Sequence, residues 1–367
     1  MPRTTITDFI TQMQGCPVID VRSPGEFAHA RMPGAYNLPL FSDEERKVIG
    51  TAYKQESREK AIKLGLDYFG PKMRAMVEEV ERLTAAFATA GNKEYNGRRV
   101  LVHCWRGGMR SGAVSWLLQL YGFEVSTLEG GYKAFRNWAL ERFSVPYPFA
   151  ILGGYTGSGK TEILGKMSGK HRSVVIDLEQ IAQHKGSAFG GFDAVQPSQE
   201  MFENMLAVQL AAASATVGDG QYIWLEDESR RIGDINLPPA LWLQMNAAPL
   251  FFLDIPMLER VNFITRIYGR HKKEQLVNAI IRIQRRLGSQ NTKDAISHLL
   301  EDNYPACFTI LLHYYDKYYR RGLEEREKRK DPLFAVSSAV VDEKLNCKLI
   351  LENINKVSQT PGNGTND

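Results

Sequence analysis

The segment Gly154–Thr161, with the sequence GYTGSGKT, constrains the fold of this 367-residue chain more than any other. It matches G-x-x-x-x-G-K-[ST] without a gap, and it lies between a strand pattern at Phe149–Leu152 and a helical pattern from Lys160. In such a P-loop, glycines let backbone N–H groups converge on phosphate oxygens while the lysine adds positive charge. The residues predicted to bind a diphosphate are Gly154, Gly157, Ser158, Gly159, Lys160 and Thr161.

Carboxylates follow the next two predicted strands of this region. They are Asp177, Glu179, Glu226, Asp227 and Glu228. Acids at these strand ends are typical of magnesium sites and substrate-facing positions in P-loop proteins, and Thr161 offers a further oxygen for Mg²⁺. We predict acid or magnesium-site roles for them. The alternative is that they are solvated strand ends.

A second glycine-rich loop, HCWRGGMRSG, runs from His103 to Gly112 between a buried-type strand and a helical pattern. Its N–H groups, the following helix N-terminus, Arg106 and Arg110 should lower the pKa of Cys104 and favour the nucleophilic thiolate. We therefore predict catalytic roles for Cys104, Arg106 and Arg110. The loop fits both cysteine-dependent phosphatases and sulfur-transferring rhodaneses, and alone it does not decide between them.

The segment upstream of this loop favours the second class. Ile19–Ala35 resembles the rhodanese pattern D-V-R-x-x-x-E-[FY]-x-x-G-H-I-x-G-A, although Ala30, Arg31 and Met32 replace its glycine, histidine and isoleucine. The cysteine loop is one residue longer than in most rhodaneses, as in the phosphatase-like branch of that fold. The resemblance implies a rhodanese-like domain. None of the four cysteines lies in a C-x-x-C pair, so neither a zinc site nor a disulfide framework is indicated.

Positive charge is concentrated near the C-terminus. The net charge is only +4, but residues 260–330 hold 16 lysines and arginines against eight acids. This excess indicates a surface for a polyanion, the alternative being solvated helix faces. Tyrosines at 314, 315, 318 and 319 interleave with the charges and could stack on unpaired bases or face a core. The candidate nucleic-acid-binding residues are Arg266, Arg270, Lys272, Lys273, Arg282, Arg285, Arg286, Arg320 and Arg321.

Taken together, the two modules resemble the tRNA 2-selenouridine synthase family. The similarity runs from about Ile19 to the basic region, and it rests on CWRGGMRSG, GGYTGSGKT, EDESRRIG and the stretch Asp177–Gly190. It implies that the substrate is tRNA carrying 2-thiouridine at the wobble position. A geranyl group from geranyl diphosphate would first be placed on the sulfur, and selenium from selenophosphate would then replace the S-geranyl group.

The same resemblance implies roles for the two loops. The P-loop, through Lys160 and Thr161, would hold the diphosphate of the prenyl donor, and Cys104 would serve the selenium step as a selenium carrier or as a nucleophile at the base. Geranyl diphosphate and selenophosphate would be co-substrates, with Mg²⁺ as a candidate ion and no bound prosthetic group. A selenophosphate-supplying enzyme is a candidate partner.

The predicted fold class is α/β, because strand and helix patterns alternate as in parallel sheets. We expect a rhodanese-like parallel-sheet domain at 1–143, a P-loop α/β domain at 149–257, a basic helical region at 258–355 and a disordered tail at 356–367. The helical region would complete the P-loop domain or bind tRNA. No apolar run approaches the roughly 20 residues of a membrane helix, and no secretory signal is indicated, so a cytoplasmic location without membrane attachment is expected.

Two other functions fit parts of the sequence. One is a phosphatase–kinase fusion, with Cys104 and Arg110 hydrolysing phosphate esters while the P-loop binds ATP, but no general-acid aspartate is identifiable. The other is a non-catalytic adaptor for tRNA binding or sulfur relay. Such an adaptor would have a degenerate nucleotide site. The Gly159–Thr161 segment and Cys104 are intact, which argues against that alternative.

Overall fold

The computed structural model describes residues 2–90, 95, 97–171, 173–185 and 195–359. The chain divides into two compact units, Met1–Arg142 with Ser198–Val208 and Phe143–Pro197 with Gln209–Asp367. The linker predicted at Phe143–Pro148 contains neither helix nor strand. The inclusion of Ser198–Val208 in the first unit was not predicted, because it depends on contacts distant in sequence.

The first unit is built on a five-stranded parallel sheet of order β1-β5-β4-β2-β3. This arrangement confirms the predicted α/β class. The strands are β1 (Arg3–Thr4), β2 (Val18–Asp20), β3 (Tyr36–Asn37), β4 (Arg99–His103) and β5 (Glu124–Leu128). The helices are α1 (Ile6–Gln12), α2 (Pro24–His29), α3 (Asp43–Gln55), α4 (Arg58–Phe69), α5 (Met73–Thr89), α6 (Met109–Tyr121) and α7 (Gly131–Arg142), with a 3₁₀ turn at Gly70–Lys72.

The central strand β4 positions the cysteine loop. Val100, Leu101 and Val102 are completely buried, as expected of a parallel strand covered on both faces. The loop leaves the carboxyl end of β4, and helix α6 begins at Met109, four residues before the predicted start at Ala113. The first turn of α6 is therefore part of the cysteine loop.

The segment after β2 contains serine, proline and glycine, which favour turns, but part of it forms helix α2. The helix begins at Pro24, and proline fits the first helical turn because the N–H it lacks has no intrahelical partner there. The Ser23 amide donates to a Glu26 carboxylate oxygen at 3.0 Å. Local capping thus overrides the turn propensity of Ser23-Pro24-Gly25.

The second unit contains the P-loop and most of the basic residues. Its strands are β6 (Phe149–Gly154), β7 (Val174–Val175), β8 (Ile223–Glu226), β9 (Arg231–Ile232), β10 (Ile235–Asn236), β11 (Leu250–Asp254) and β12 (Leu333–Ser337). Its helices are α8 (Lys160–His171), α9 (Leu178–Ala182), α10 (Gln199–Thr216, shared with the first unit), α11 (Pro239–Ala247), α12 (Met257–Tyr268), α13 (Lys273–Arg282), α14 (Gln284–Leu287), α15 (Ser289–Leu300), α16 (Tyr304–Arg329) and α17 (Glu343–Gln359).

Five of these strands form a parallel sheet of order β12-β11-β6-β8-β7. The central strand β6 leads into the P-loop, and β8 ends at Glu226 beside it. Strand β12 lies inside the region expected to be helical. Helix α17 continues to Gln359, so 356–359 are helical instead of part of a tail, while 360–367 lie outside the described residues.

A buried ion pair joins the helical region to the P-loop. The guanidinium of Arg260, on α12, makes two hydrogen bonds to the Asp316 carboxylate on α16, of 3.0 and 2.8 Å. It also donates to the carbonyls of Thr156 in the P-loop and Ile255 after β11. Both side chains are at most 6% exposed. Because burying charges is costly, this pair is stable only while every partner is in place.

Within the described residues, no helix is long and apolar enough to cross a membrane.

We predict that Asp316→Ala lowers the free energy of unfolding by roughly 3–5 kcal/mol, because it leaves a buried guanidinium without its counter-ion. Equilibrium urea denaturation measures this change. The matched control is Glu352→Ala, which removes the exposed pair between Lys348 and Glu352 and should cost less than about 1 kcal/mol. Equal, small effects of the two substitutions would contradict the role given to Asp316.

Candidate active sites

The P-loop has the backbone geometry that its sequence predicts. Gly157 has φ +85°, and a Cβ there would lie 2.8 Å from the Ile264 side chain, so glycine is required. Lys160 begins α8, and its Nζ donates to the Gly154 carbonyl at 3.1 Å. Burial would lower the pKa of Lys160, but Tyr319 and the neighbouring carboxylates raise it above the ordinary value. The lysine is therefore a permanent positive charge at the loop.

Acidic side chains meet the P-loop at the end of β8. Thr161 Oγ1 donates to a Glu226 carboxylate oxygen at 3.1 Å, and Lys160 Nζ lies 3.6 Å from the other oxygen. Glu179, Glu226 and Glu228 each offer an oxygen within 4.8 Å of the others. Burial raises the pKa of Glu226 to about 7 despite the opposing effect of Lys160, and burial with neighbouring carboxylates raises that of Glu228.

This cluster has the chemistry of a divalent-cation site. Carboxylate oxygens and a hydroxyl are ligands that Mg²⁺ accepts, and a cation would offset the repulsion among the acids. Asp177, by contrast, caps α9: its carboxylate accepts from the Gln180 amide at 2.8 Å. Asp227 lines the adjoining cavity. The predicted acids thus come together except for Asp177, which has a local structural partner.

A cavity of about 550 Å³ opens beside the P-loop. The polar part of its lining includes Lys160, Thr161 and the carboxylates. The rest of the lining is rich in aromatic and apolar side chains from α11, β11, α12 and α16. These are Trp242, Phe252, Phe263, Ile264, Ile267, Tyr268, Tyr314, Tyr315, Tyr318, Tyr319 and Leu323. The cavity therefore suits a ligand with an anionic head and an apolar body.

Two residues at this site were not predicted to serve the P-loop. The Tyr319 ring centre lies 5.5 Å from Lys160 Nζ, and Tyr155 packs edge-on against Tyr319. Tyr319 was predicted only as one of four tyrosines that stack on RNA or face a core. Its four-residue spacing from Tyr315 indicates a shared helix face, but the sequence does not show what that face meets.

The cysteine loop surrounds a nearly buried thiol. Cys104 is 3% exposed, and its Sγ lies 3.4 Å from the Gly108 N–H and 3.3 Å from Ser111 Oγ. Burial raises the pKa of Cys104, but hydrogen bonds from the Ser111 hydroxyl and from the Ser111, Gly108 and Arg106 amides lower it below the ordinary value overall. The loop therefore favours the thiolate.

The start of α7 fixes the shape of this loop. The amides of Tyr132 and Lys133 donate to the carbonyls of Cys104 and Trp105, at 2.8 and 3.0 Å. A Cβ at Gly131 would lie 2.3 Å from the Cys104 carbonyl oxygen, so only glycine permits this approach. The Gly130-Gly131 turn is thus part of the cysteine site.

The predicted effect of the two arginine side chains on Cys104 stays a prediction. Arg110 Nη1 donates to Glu26 at 2.8 Å, and Arg46 also lies near that carboxylate. Burial opposes ionisation of Glu26, but these arginines hold its pKa below the ordinary value. Arg106 contributes its amide, while its side chain is exposed. Sequence spacing could not show that Glu26, 84 residues away, neutralises Arg110.

The Asp20-Val21-Arg22 segment supports the cysteine loop through buried contacts. Arg22 donates to the Asp20 carboxylate at 2.7 Å and to the Ala30 carbonyl at 2.8 Å, and both charged groups are buried. Its guanidinium lies 3.8 Å from the centre of the Tyr132 ring. This arrangement links β2 to the start of α7, which holds the cysteine loop.

Comparison with known proteins accounts for both sites. A family model described as "tRNA 2-selenouridine synthase AAA domain" matches residues 147–349, and a rhodanese-like domain model matches residues 5–137. The chain belongs to the tRNA 2-selenouridine synthase family. The match confirms the predicted rhodanese and P-loop modules.

Individual members of the tRNA 2-selenouridine synthase family align over most of the chain. The protein of that name from Sulfurovum sp. is 34% identical over 86% of this chain and 91% of its own length. Those from Bdellovibrio bacteriovorus and Salmonella arizonae are 32% and 36% identical, over 85% and 84% of this chain and 90% of each relative. The characteristic stretch Asp177–Gly190 is described only to Lys185, and 186–190 lie outside the described residues.

The basic residues predicted to bind tRNA in this family member are distributed over α12–α16. Eight of the nine are exposed, and Lys273 is half-buried in an ion pair with Asp302 at 2.8 Å. Arg286 lines the P-loop cavity, and both Arg286 and Arg321 line a second cavity beside α16. The remaining seven are Arg266, Arg270, Lys272, Lys273, Arg282, Arg285 and Arg320. Their role in tRNA binding stays a prediction.

We predict that Cys104 has the lowest thiol pKa of the four cysteines, below the roughly 8.5 of a free thiol. Burial raises the pKa values of Cys16, Cys307 and Cys347, which serve as internal controls. Mass spectrometry of iodoacetamide alkylation across pH measures each site, and Ser111→Ala should move the Cys104 titration to higher pH. A Cys104 titration at or above that of a free thiol would contradict the assignment.

Proposed function

We propose that this chain converts 2-thiouridine at the wobble position of tRNA to 2-selenouridine in two steps. The sulfur is first geranylated, and selenium from selenophosphate then replaces the S-geranyl group. The names of the relatives support tRNA as the substrate and selenouridine as the product. Two sites of different chemistry, a diphosphate-binding loop and an activated thiol, support a division into two steps.

The observation that carries the first step is the composition of the P-loop cavity. Its lining combines Lys160 and Thr161 with aromatic side chains such as Phe252 and Phe263. Geranyl diphosphate likewise combines an anionic head with a hydrocarbon chain. Burying that chain is favourable at roughly 25 cal/mol per Å² of apolar surface. The cavity therefore supports a prenyl donor in place of a nucleotide.

In the first step, the 2-thio sulfur attacks C1 of geranyl diphosphate. A sulfur–carbon bond forms, the C1–oxygen bond breaks, diphosphate leaves with the electron pair, and the base loses its N3 proton. Lys160 and the P-loop N–H groups neutralise charge that develops on the leaving diphosphate. Thr161, Glu179, Glu226 and Glu228 would hold Mg²⁺, which would supply additional neutralisation there.

In the second step, the Cys104 thiolate adds to C2 of the S-geranylated base and expels geranylthiol. The selenium of selenophosphate then attacks C2 and displaces Cys104, and water cleaves the selenium–phosphorus bond to release phosphate. Hydrogen bonds that lower the pKa of Cys104 support both its attack and its departure. Trp105, which is 38% exposed beside the thiol, offers a surface on which the base can stack.

Redox balance favours this route over selenium carriage on Cys104. Transfer of neutral selenium to the thiolate would leave phosphorus reduced by two electrons, and the selenium–sulfur adduct would then need a reductant. Addition to the base requires neither. The co-substrates are then geranyl diphosphate and selenophosphate, the latter supplied by a separate enzyme, and no prosthetic group is needed.

The pairing of Arg110 with Glu26 also supports selenium chemistry over phosphate-ester hydrolysis. A phosphatase loop uses its arginine to bind phosphate oxygens, often through two hydrogen bonds. Here a carboxylate with a lowered pKa already occupies that arginine.

We predict that two substitutions separate the steps. Lys160→Ala should slow S-geranylation of 2-thiouridine tRNA by on the order of 100-fold, the effect of removing one charge-stabilising donor. It should leave selenation of tRNA geranylated beforehand unchanged. Cys104→Ser should give the reverse pattern, because serine is a poor nucleophile at neutral pH. Nucleoside mass spectrometry measures both products.

The controls are Lys166→Ala, on the same helix as Lys160, and Cys16→Ser, in the same unit as Cys104. Each should retain both steps. If Lys160→Ala geranylates normally, the P-loop does not hold the prenyl donor. If Cys104→Ser selenates normally, the thiol has no part in the exchange.

A further inference from the structure

A second cavity, of about 370 Å³, adjoins the P-loop cavity along helix α16. We propose that it binds an RNA nucleotide next to the one that reacts, with its phosphate on Lys317 and Arg321 and its base on Tyr318. This inference rests on the proposed function for the identity of the RNA. We call this cavity the flanking-nucleotide pocket; its lining is Arg286, Leu287, Asn291, Ile310, His313, Tyr314, Lys317, Tyr318 and Arg321.

The spacing of residues on α16 creates two adjacent faces. Tyr315, Tyr319 and Arg326 line the P-loop cavity, at intervals that keep them on one side of the helix. His313, Lys317 and Arg321 follow each other at four-residue intervals and line the flanking-nucleotide pocket. Tyr314 and Tyr318 lie between these faces and line both cavities. One rigid helix therefore fixes the position of one cavity relative to the other.

The two cavities differ in charge. The P-loop cavity contains several carboxylates, whereas the lining of the flanking-nucleotide pocket contains Arg286, Lys317 and Arg321 and no acid. Arg321 has an exposed partner in Glu325, and Lys317 forms no ion pair or hydrogen bond among the described residues. An exposed lysine without a counter-ion, beside two arginines, attracts a phosphate group.

The aromatic part of this pocket suits a base. Tyr318 is 51% exposed, and its ring packs edge-on against Tyr314 with centroids 5.1 Å apart. Because Tyr314 supports one edge, a face of Tyr318 stays available for stacking. Burial, with a hydrogen bond to Tyr318, raises the pKa of Tyr314 to about 12, so its phenol stays neutral. A free phosphate would need none of this aromatic surface.

Continuity of the two cavities links this nucleotide to the reaction. Arg286, Tyr314 and Tyr318 belong to both linings, so a strand that enters the flanking-nucleotide pocket passes directly to the P-loop cavity. A base stacked on Tyr318 would thereby present the neighbouring 2-thiouridine to the prenyl donor. Stacking tolerates any base, so this pocket would contribute affinity and position more than sequence selectivity.

The test is binding of a fluorescently labelled anticodon stem-loop RNA with 2-thiouridine at the wobble position, measured by anisotropy over a range of salt concentrations. Tyr318→Leu should weaken binding about 5- to 150-fold, the range for one base–aromatic stack, while Tyr318→Phe should retain it. Lys317→Ala should reduce the slope of log affinity against log salt by about 0.7, the value for one single-strand phosphate contact.

The matched control is Lys328→Ala, which removes the same charge from an exposed position on α16 outside both cavities. It should leave RNA affinity and salt slope unchanged. In geranylation assays, Lys317→Ala, which changes the lining of the flanking-nucleotide pocket and not that of the P-loop cavity, should raise KM for the RNA and leave KM for geranyl diphosphate unchanged. Thermal unfolding of each variant verifies that the fold is retained.

The inference is overturned if Lys317→Ala and Tyr318→Leu bind the RNA as Lys328→Ala does while the wild-type protein geranylates it. It is also overturned if Lys317→Ala loses affinity for geranyl diphosphate as much as for RNA, since the defect then lies in the P-loop cavity. If the wild-type protein forms no S-geranyl product but the variants bind RNA more weakly, the proposed function fails and the RNA pocket stands.

Discussion

The second unit depends on the buried ion pair between Arg260 and Asp316. The Arg260 guanidinium binds Asp316 on α16 and the carbonyl of Thr156 in the P-loop, and it stacks at 4.8 Å on the Tyr155 ring. A buried charge of this kind contributes more to specificity of geometry than to net stability. Here it fixes α16 relative to the phosphate-binding loop, and α16 supplies walls to both cavities. In the proposed function, the positions of the geranyl chain and of the RNA would therefore depend on that one contact.

The two units share one arrangement of strand, loop and helix but differ in the residues of the loop. Each places a glycine-rich loop between the carboxyl end of a parallel strand and a helix N-terminus, where backbone N–H groups favour negative charge. In the P-loop the proposed anion is the diphosphate of the prenyl donor, to which Lys160 would add its charge. In the cysteine loop the favoured anion is the Cys104 thiolate, and the Ser111 hydroxyl lies 3.3 Å from its sulfur.

The two loops could be predicted from sequence because their chemistry is local: glycines, a lysine or cysteine and a flanking strand lie within about ten residues. What could not be predicted depends on partners distant in sequence. Glu26 neutralises Arg110, Asp316 pairs with Arg260, and β12 joins the P-loop sheet from within a region of helical pattern. Asp177 illustrates a further ambiguity, since an acid after a strand can equally cap the next helix. The interleaved tyrosines were recognised, but only the structure shows that all four line the P-loop cavity and that Tyr314 and Tyr318 also line the flanking-nucleotide pocket.

The most direct test of the central claim, that a P-loop prenylation precedes exchange at Cys104, is a time course of nucleoside mass spectrometry. The wild-type protein would be incubated with 2-thiouridine tRNA, geranyl diphosphate and selenophosphate. The account predicts that S-geranyl-2-thiouridine rises and then falls as 2-selenouridine accumulates, and that no 2-selenouridine forms without geranyl diphosphate. Formation of 2-selenouridine at full rate without the prenyl donor, or an unchanged nucleoside in an active preparation, would contradict it.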